Sequence, residues 1–349
     1  MILRMPDYCR EFRCIADKCG DSCCIGWEID IDSKTAELYE KTEGEFGERL
    51  RNNITGSKVK SFVLGEHERC PFLNEQNLCD IIINMGEDCL CQICNDHPRY
   101  YEWFEGIKEG GIGLCCEEAA RIILSQKKPF LLWEREVPDE ECDDYDSELY
   151  DFLFDAREKI IAHLENGEIP LRQCISDILR YGEKLQESAD NGDFTVSDIS
   201  SALLSGRSSI RPVLEFMLEL EPIDDKWIPY LKKCIQMTDK AEKADCISGE
   251  YEQYLRNTAV YFVWRYFMKG VFDGEFLSRV KLMAVSVSVI NHLFACGQIE
   301  KGLLSLEECA LLAKNYSKEI EYCEENLEAL ADASYEEYYF SGEYLSSLI

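Results

Sequence analysis

The chain has 349 residues, 46% hydrophobic and 30% charged, enough to bury a substantial core without disulfide staples and too apolar for wholesale disorder. Its 37 basic against 68 acidic residues give a net charge of −31. Nucleic-acid binding needs a basic stripe, and none here is longer than "QKKP" at 126–129, so the charge excludes nucleic acid and favours a cationic partner such as a lysine side chain.

In chain order, the opening "MILRMPDYCREFRC" has neither an uninterrupted apolar run nor a small-residue cleavage site, so no signal peptide is expected and the protein is read as cytoplasmic. Residues 1–125 form a first domain with weak periodicity. Within it "CIGWEIDIDS" alternates like a short strand, and "SKTAELYEKTEGEFGERLRNN" is expected to be a helix capped by Ser33. The stretch "GEDCLCQICNDHPRYYEWFEG" predicts a turn, a short helix around Cys89–Cys94, and an extended piece after Pro98; "CCEEAARIILSQ" predicts another helix.

Residues 126–147, including the acidic, Pro-containing "EREVPDEECDDYDS", are expected to be an exposed connection. From 148 to 349 apolar residues recur at helical steps, with helices expected over 149–164, 171–185, 212–220, 227–237, 250–269, 276–296 and 305–331. The run "LMAVSVSVINHLFACG" is short for a membrane span and carries Ser286, Ser288, Asn291 and His292, so it is expected to be a buried helix, with no membrane partner. The fold class is mainly α, with a small irregular cysteine-rich domain packed on a larger helical one.

Cysteines carry the strongest signal. Twelve of the nineteen lie in the first 116 residues, whereas Cys142 to Cys323 are scattered singly and are expected to be small buried hydrophobes. The early ones form four groups: Cys14, Cys19, Cys23 and Cys24; Cys70 and Cys79; Cys89, Cys91 and Cys94; Cys115 and Cys116. In a reducing compartment such clusters point to metal ligation or catalysis rather than disulfides. Four thiolates suit either tetrahedral zinc or an iron–sulfur cluster, and histidine is scarce nearby, with only His67 and His97.

Along "FRC…CGDSCC…W…ID", "CPFL…LC.I…GE", "C..HPR" and "CCEEAAR", the sequence resembles the flagellin lysine-N-methylase family, itself related to the YkgJ-type cysteine-rich metal-binding proteins. The segments "FDAREKIIAHLENGEIPLRQCISDILRYGEKLQ" at 154–186 and "YEQYLRN" at 251–257 continue the resemblance. It implies a protein-lysine methyltransferase acting on flagellin, with S-adenosylmethionine as donor and an iron–sulfur cluster, 4Fe–4S first and zinc as the alternative. The matching thiols are Cys14, Cys19, Cys23, Cys24, Cys70, Cys79, Cys94 and Cys116; Cys9, Cys89, Cys91 and Cys115 fall outside the pattern.

Eight thiols exceed the four that one 4Fe–4S cluster needs, leaving either two centres or some supporting thiols. Position 26 is Gly, so Cys19 and Cys23 do not open the triplet of radical S-adenosylmethionine enzymes, and "EGGIGLCC" is a tight turn rather than a nucleotide loop. Methyl transfer to lysine needs the neutral amine, which places Asp21 and Glu87 as candidate bases, each with an alternative capping role. Arg99 is a candidate for a donor carboxylate and Trp27 for stacking on the donor or caging a lysine. His292 is expected to be a core histidine. The alternative function is a non-catalytic zinc- or iron-binding module that docks a protein.

Overall fold

The computed structural model describes residues 1–26, 28–204, 206–243 and 249–349. The fold is mainly α. Two compact units divide it. A thiol unit comprises Phe12–Tyr100 with Cys116–Glu118; a helical unit comprises Met1–Glu11, Tyr101–Cys115 and Ala119–Ile349.

The chain opens with strand β1 (Ile2–Pro6) of the helical unit and then enters the thiol unit. There β2 (Asp30–Ile31), β3 (Ile54–Thr55) and β4 (Lys60–Phe62) form a small antiparallel sheet in the order β2-β4-β3. Four short helices accompany it: α1 (Ser33–Lys41), α2 (Gly44–Asn52), α3 (Asp80–Met85) and α4 (Gln92–Asp96).

The single helix expected from residue 33 is two. Gly44 takes φ +81°, a left-handed conformation that interrupts a right-handed helix. A β-carbon at Gly47 would stand 1.9 Å from the Thr42 carbonyl oxygen, so only glycine lets α2 turn back this closely. The cap is also one residue earlier than expected: Asp32, not Ser33, accepts from the Thr35 amide at 2.9 Å. The core of the unit is small, with Tyr39, Leu50, Phe62, Phe72 and Ile81 buried, and the rings of Phe62 and Phe72 meet edge-on at 5.1 Å.

In the helical unit β1 lies in a four-stranded sheet of order β5-β6-β1-β7, where β5 is Arg99–Phe104, β6 Ile107–Ile112 and β7 Leu132–Glu136. It runs parallel to β6 and antiparallel to β7. Thus the start of the acidic stretch expected to be a bare connection is a strand, held by backbone pairing and by Arg4 donating to Glu134 at 2.7 Å.

Helices then dominate: α5 (Glu117–Leu124), α6 (Ser147–Glu165), α7 (Leu171–Asp190), α8 (Arg211–Phe216), α9 (Trp227–Ala241), α10 (Glu250–Tyr266), α11 (Gly270–Asp273), α12 (Phe276–Lys301), α13 (Leu306–Glu321), α14 (Glu324–Glu336) and α15 (Gly342–Leu345). The expected helix 305–331 breaks at Tyr322–Cys323. There the Asn326 amide reaches back to the Glu319 carbonyl and across to Glu221, while the Glu319 carboxylate accepts from Ile223 and Asp224.

Helix α12 is long and apolar enough to cross a membrane, yet 78% of its most apolar window is buried inside the protein. Apolar residues all round it reflect contact with neighbours on every side. His292 is buried on it as expected, with Nε2 3.2 Å from the Cys234 carbonyl oxygen. The sheet and the helices are joined by a buried ion pair. Arg157 of α6 grips Glu109 of β6 through two bonds of 2.5 and 2.7 Å, with its guanidinium over Trp264.

Candidate metal centre

The cysteines of the thiol unit come together through its backbone turns. The Cys70 amide donates to the Cys24 carbonyl at 2.8 Å, and the adjoining bridge pairs Ile25 with Arg69. Beyond Cys70 the chain reverses, pairing Leu73 with Cys79 and leading into α3. Helix α4 starts just after Cys91 and carries Cys94 one turn on. As a result Cys24, Cys70, Cys79, Cys89, Cys91 and Cys94 all pack in the one core around Tyr39 and Phe72. The Tyr39 hydroxyl donates to the Cys89 carbonyl at 2.8 Å and anchors that wall.

A second set lies in the opening loop. The Ala16 amide donates to the Cys14 sulfur at 3.4 Å, and the turn closes as the Cys19 amide donates to the Ala16 carbonyl at 3.0 Å. Glu117 then ties this loop to the chain after Cys116, accepting from the Gly20 amide at 2.9 Å with the Cys19 sulfur 3.9 Å away.

Burial governs the electrostatics. It pushes the Cys70 thiol up to about 12, with Cys24, Cys79 and Cys91 adding to the rise, and it raises Cys79 as well. Burial also raises Cys19, with the Glu117, Asp21 and Cys14 charges adding to it. Cys23 is raised by its hydrogen bond to Cys24, then by burial and the neighbouring Cys14 and Cys116; the same bond draws Cys24 down to about 7, aided by Arg69. The Cys94 thiol is raised by its bond to Cys91, which is lowered in turn. Burial thus keeps several of these thiols from ionising, an effect that a bound soft cation would reverse.

The donor set is chemically suited to such a cation, being nearly all sulfur. Among the described residues no three His, Cys, Asp or Glu side chains converge tightly enough to enclose one ion. The thiols are gathered but not closed on a single point.

Of the other sequence candidates, Asp21 is half-buried in the opening loop and its carbonyl accepts from the Cys19 thiol at 3.2 Å. Glu87 is exposed at the start of the turn before Cys89. The Arg99 guanidinium lies 5.3 Å from the centre of the Phe12 ring. Trp27 lies outside the described residues. Cys9 and Cys115 belong to the helical unit, and both are buried there. Tyr101 and Trp103 flank the Lys108 ammonium at 4.6 and 4.7 Å, so their faces are taken by an internal cation.

Cys89 and Cys91 lie in the thiol core with Cys94, the group in which the sequence placed them, although they fall outside the family's ligand pattern. Glu117 stands beside the cysteines as the sequence suggested, whereas Arg69 was missed. Among the later cysteines, Cys174, Cys234, Cys296 and Cys309 are buried as expected, Cys142 is exposed and Cys323 half-buried; Cys246 lies outside the described residues.

The helical unit holds a cavity of about 210 Å³ between "QKKPF" at 126–130 and the "YEQYLRN" segment. Gln253, Arg256 and Asn257 line it with Lys127, Lys128 and Glu165. It is smaller than the roughly 300–1,000 Å³ of pockets that enclose a drug-sized ligand.

The chain thus joins a unit crowded with thiols to a helical unit. The chain belongs to the family of the FliB lysine N-methylase C-terminal domain, whose profile matches residues 157–348, more than half of its length and wholly within the helical unit. It is similar to the flagellar biosynthetic protein FliU of Salmonella muenchen, 26% identical over 137 residues that cover 37% of this chain and 81% of that protein. It is also similar to the lysine-N-methylases of Salmonella typhimurium and Salmonella choleraesuis, each 25% identical over 142 residues. Those matches cover 38% of this chain but only 35% of either relative, about a third of their length. No solved structure matches the chain.

Proposed function

We propose that the protein is a protein-lysine N-methyltransferase that modifies flagellin, with S-adenosylmethionine as methyl donor and an iron–sulfur cluster held by the thiol unit. The observation that carries this reading is the family match over residues 157–348, together with relatives named lysine-N-methylase and flagellar biosynthetic protein. The net charge of −31 supports a lysine-rich target, since an acidic surface steers cationic groups towards it.

In the reaction the neutral lysine amine attacks the sulfonium methyl. A nitrogen–carbon bond forms, the sulfur–carbon bond breaks with its electron pair going to sulfur, and the amine proton passes to a base. Asp21, half-buried beside Cys19, is better placed to take that proton than the exposed Glu87. Arg99 would pair with the donor's carboxylate.

The proposed ligands are the eight motif thiols. The cluster would supply thiolate-bound iron and sulfide, and its binding would add to the unit's folding energy.

The test is methyl transfer from isotopically labelled S-adenosylmethionine to purified flagellin by anaerobically prepared protein, with the product mapped by mass spectrometry. Label on lysine nitrogens is expected. No transfer by protein fully loaded with iron and sulfide would overturn the enzymatic reading. A colourless protein carrying zinc would overturn the cluster.

A further inference from the structure

We infer that the cavity in the helical unit docks a lysine side chain of the protein substrate, as an anchor separate from the lysine that is methylated. This rests on the proposed lysine-bearing partner and goes beyond it in assigning a second contact and the residues that make it.

The whole lining belongs to the helical unit. Ile123, Leu164 and Val260 give it a buried apolar floor, with Phe130 beside them, and Asp7 and Glu165 are its two acids. A lysine side chain has the same division: four methylenes that pack on apolar surface, and an ammonium that needs acceptors. At about 210 Å³ the cavity suits a side chain better than a whole cofactor.

Bonds around the cavity show which groups are left for a guest. Arg256 spends its guanidinium on the Leu164 carbonyl at 2.9 Å, the Ile169 carbonyl and the Glu252 carboxylate at 2.6 Å, so its charge is already offset. The Asn257 amide nitrogen donates to the Leu124 and Gln126 carbonyls, both at 2.9 Å. Its oxygen accepts from Gln253 at 2.9 Å, which leaves the Gln253 carbonyl oxygen to accept in turn. One Glu165 oxygen accepts from the Phe130 amide. Among the described residues its other oxygen and the Asp7 carboxylate are free to accept. Partial burial raises the Glu165 carboxyl, a desolvation that an ammonium partner would offset.

The basic residues do not reverse this preference. Lys127 faces Glu250, 3.9 Å away, and Lys128 is exposed at the mouth. Gln253, Arg256 and Asn257 come from the "YEQYLRN" segment and, with Leu164, Glu165 and Val260, fall within the matched family domain. The proposed base Asp21 belongs to the thiol unit and is not in the lining, so a lysine held here is an anchor and not the methyl acceptor.

Saturation-transfer NMR on the full chain, in salt of about 0.15 M to screen the diffuse negative field, compares the Nα-acetyl methylamides of lysine, norleucine and glutamate. Lysine is expected to bind, and norleucine, which lacks the nitrogen, about tenfold more weakly; glutamate should not bind. Glu165→Gln keeps an acceptor for the Phe130 amide and should weaken lysine binding about tenfold. Asp7→Asn, a second variant should the first fail to fold, is expected to weaken it a few-fold, and Lys128→Ala to leave it equal or tighter. Absence of lysine binding, equal binding of norleucine, tighter binding of glutamate, or unchanged lysine affinity in both acid variants would overturn the docking site. Weaker binding in Lys128→Ala would do the same.

Methyl transfer to flagellin separates anchor from acceptor: Glu165→Gln should raise KM far more than it lowers kcat. A loss carried mainly by kcat would overturn the anchor. Wild-type protein that binds the lysine probe yet transfers no methyl would remove the proposed activity and leave the docking site supported.

Discussion

The two units bury charge in opposite ways. In the helical unit two groups of buried ions are paired internally. Glu321 accepts from the hydroxyls of Tyr261 and Tyr266 at 2.7 and 2.8 Å and pairs with Arg265 at 2.8 Å, while Arg157 and Glu109 satisfy one another. A broad apolar core surrounds these pairs. In the thiol unit a modest core holds six cysteines, and burial raises Cys70 and Cys79 among them. The contrast teaches that the helical unit offsets these buried charges with its own side chains, whereas the thiol unit gathers thiols that the proposed metal would stabilise.

Substitutions sharpen this contrast. Arg157→Ala leaves Glu109 buried without its partner and is expected to cost about 3–5 kcal/mol, read as a lowered thermal midpoint. Bound metal per chain should be unchanged, because the loss falls in the helical unit. Phe72→Ala removes a fully buried ring from the thiol unit and should cost about 3–5 kcal/mol of that unit's stability. Here metal retention during chelator challenge should fall with it, which separates the two units by one assay.

Ile290→Ala at the centre of α12 is expected to cost about 2–5 kcal/mol, again without effect on metal. The smallest effects belong to the caps. Ser305 and Glu308 form a capping box at α13, so Ser305→Ala should cost about 1 kcal/mol in denaturant unfolding.

Asp32 caps α1 and also accepts from the Gln92 amide at 2.9 Å. Burial pushes its carboxyl up, but these bonds outweigh that and hold it below the usual range. Its contribution is therefore present above the ordinary aspartate value and lost as pH falls through the lowered one. Acid titration of wild type against Asp32→Asn should show that difference in the thiol unit and none in the helical unit.

Helical periodicity made the larger unit legible, because its apolar steps reflect one buried face per helix, as over Phe152, Leu153, Ala156, Ile160 and Leu164. What it could not show were breaks imposed from outside the helix. The split at Tyr322–Cys323 depends on Asn326 and Glu319 holding a distant loop, and strand β7 depends on pairing with β1, 126 or more residues away. The break before α2 was closer to legible, since Gly44 and Gly47 both stand in the sequence as warnings against one continuous helix. For the candidate site, thiol spacing and family resemblance found the eight sulfurs. What spacing could not show is how the fold gathers them, since Cys70 meets Cys24 through a backbone bond between segments 46 residues apart.

Hydrogen exchange of the metal-loaded and metal-stripped protein tests the central contrast most directly. On stripping, amides across Phe12–Tyr100 are expected to lose protection while those of α10 and α12 keep theirs. Unchanged protection in the thiol unit, or equal loss in both units, would contradict the account.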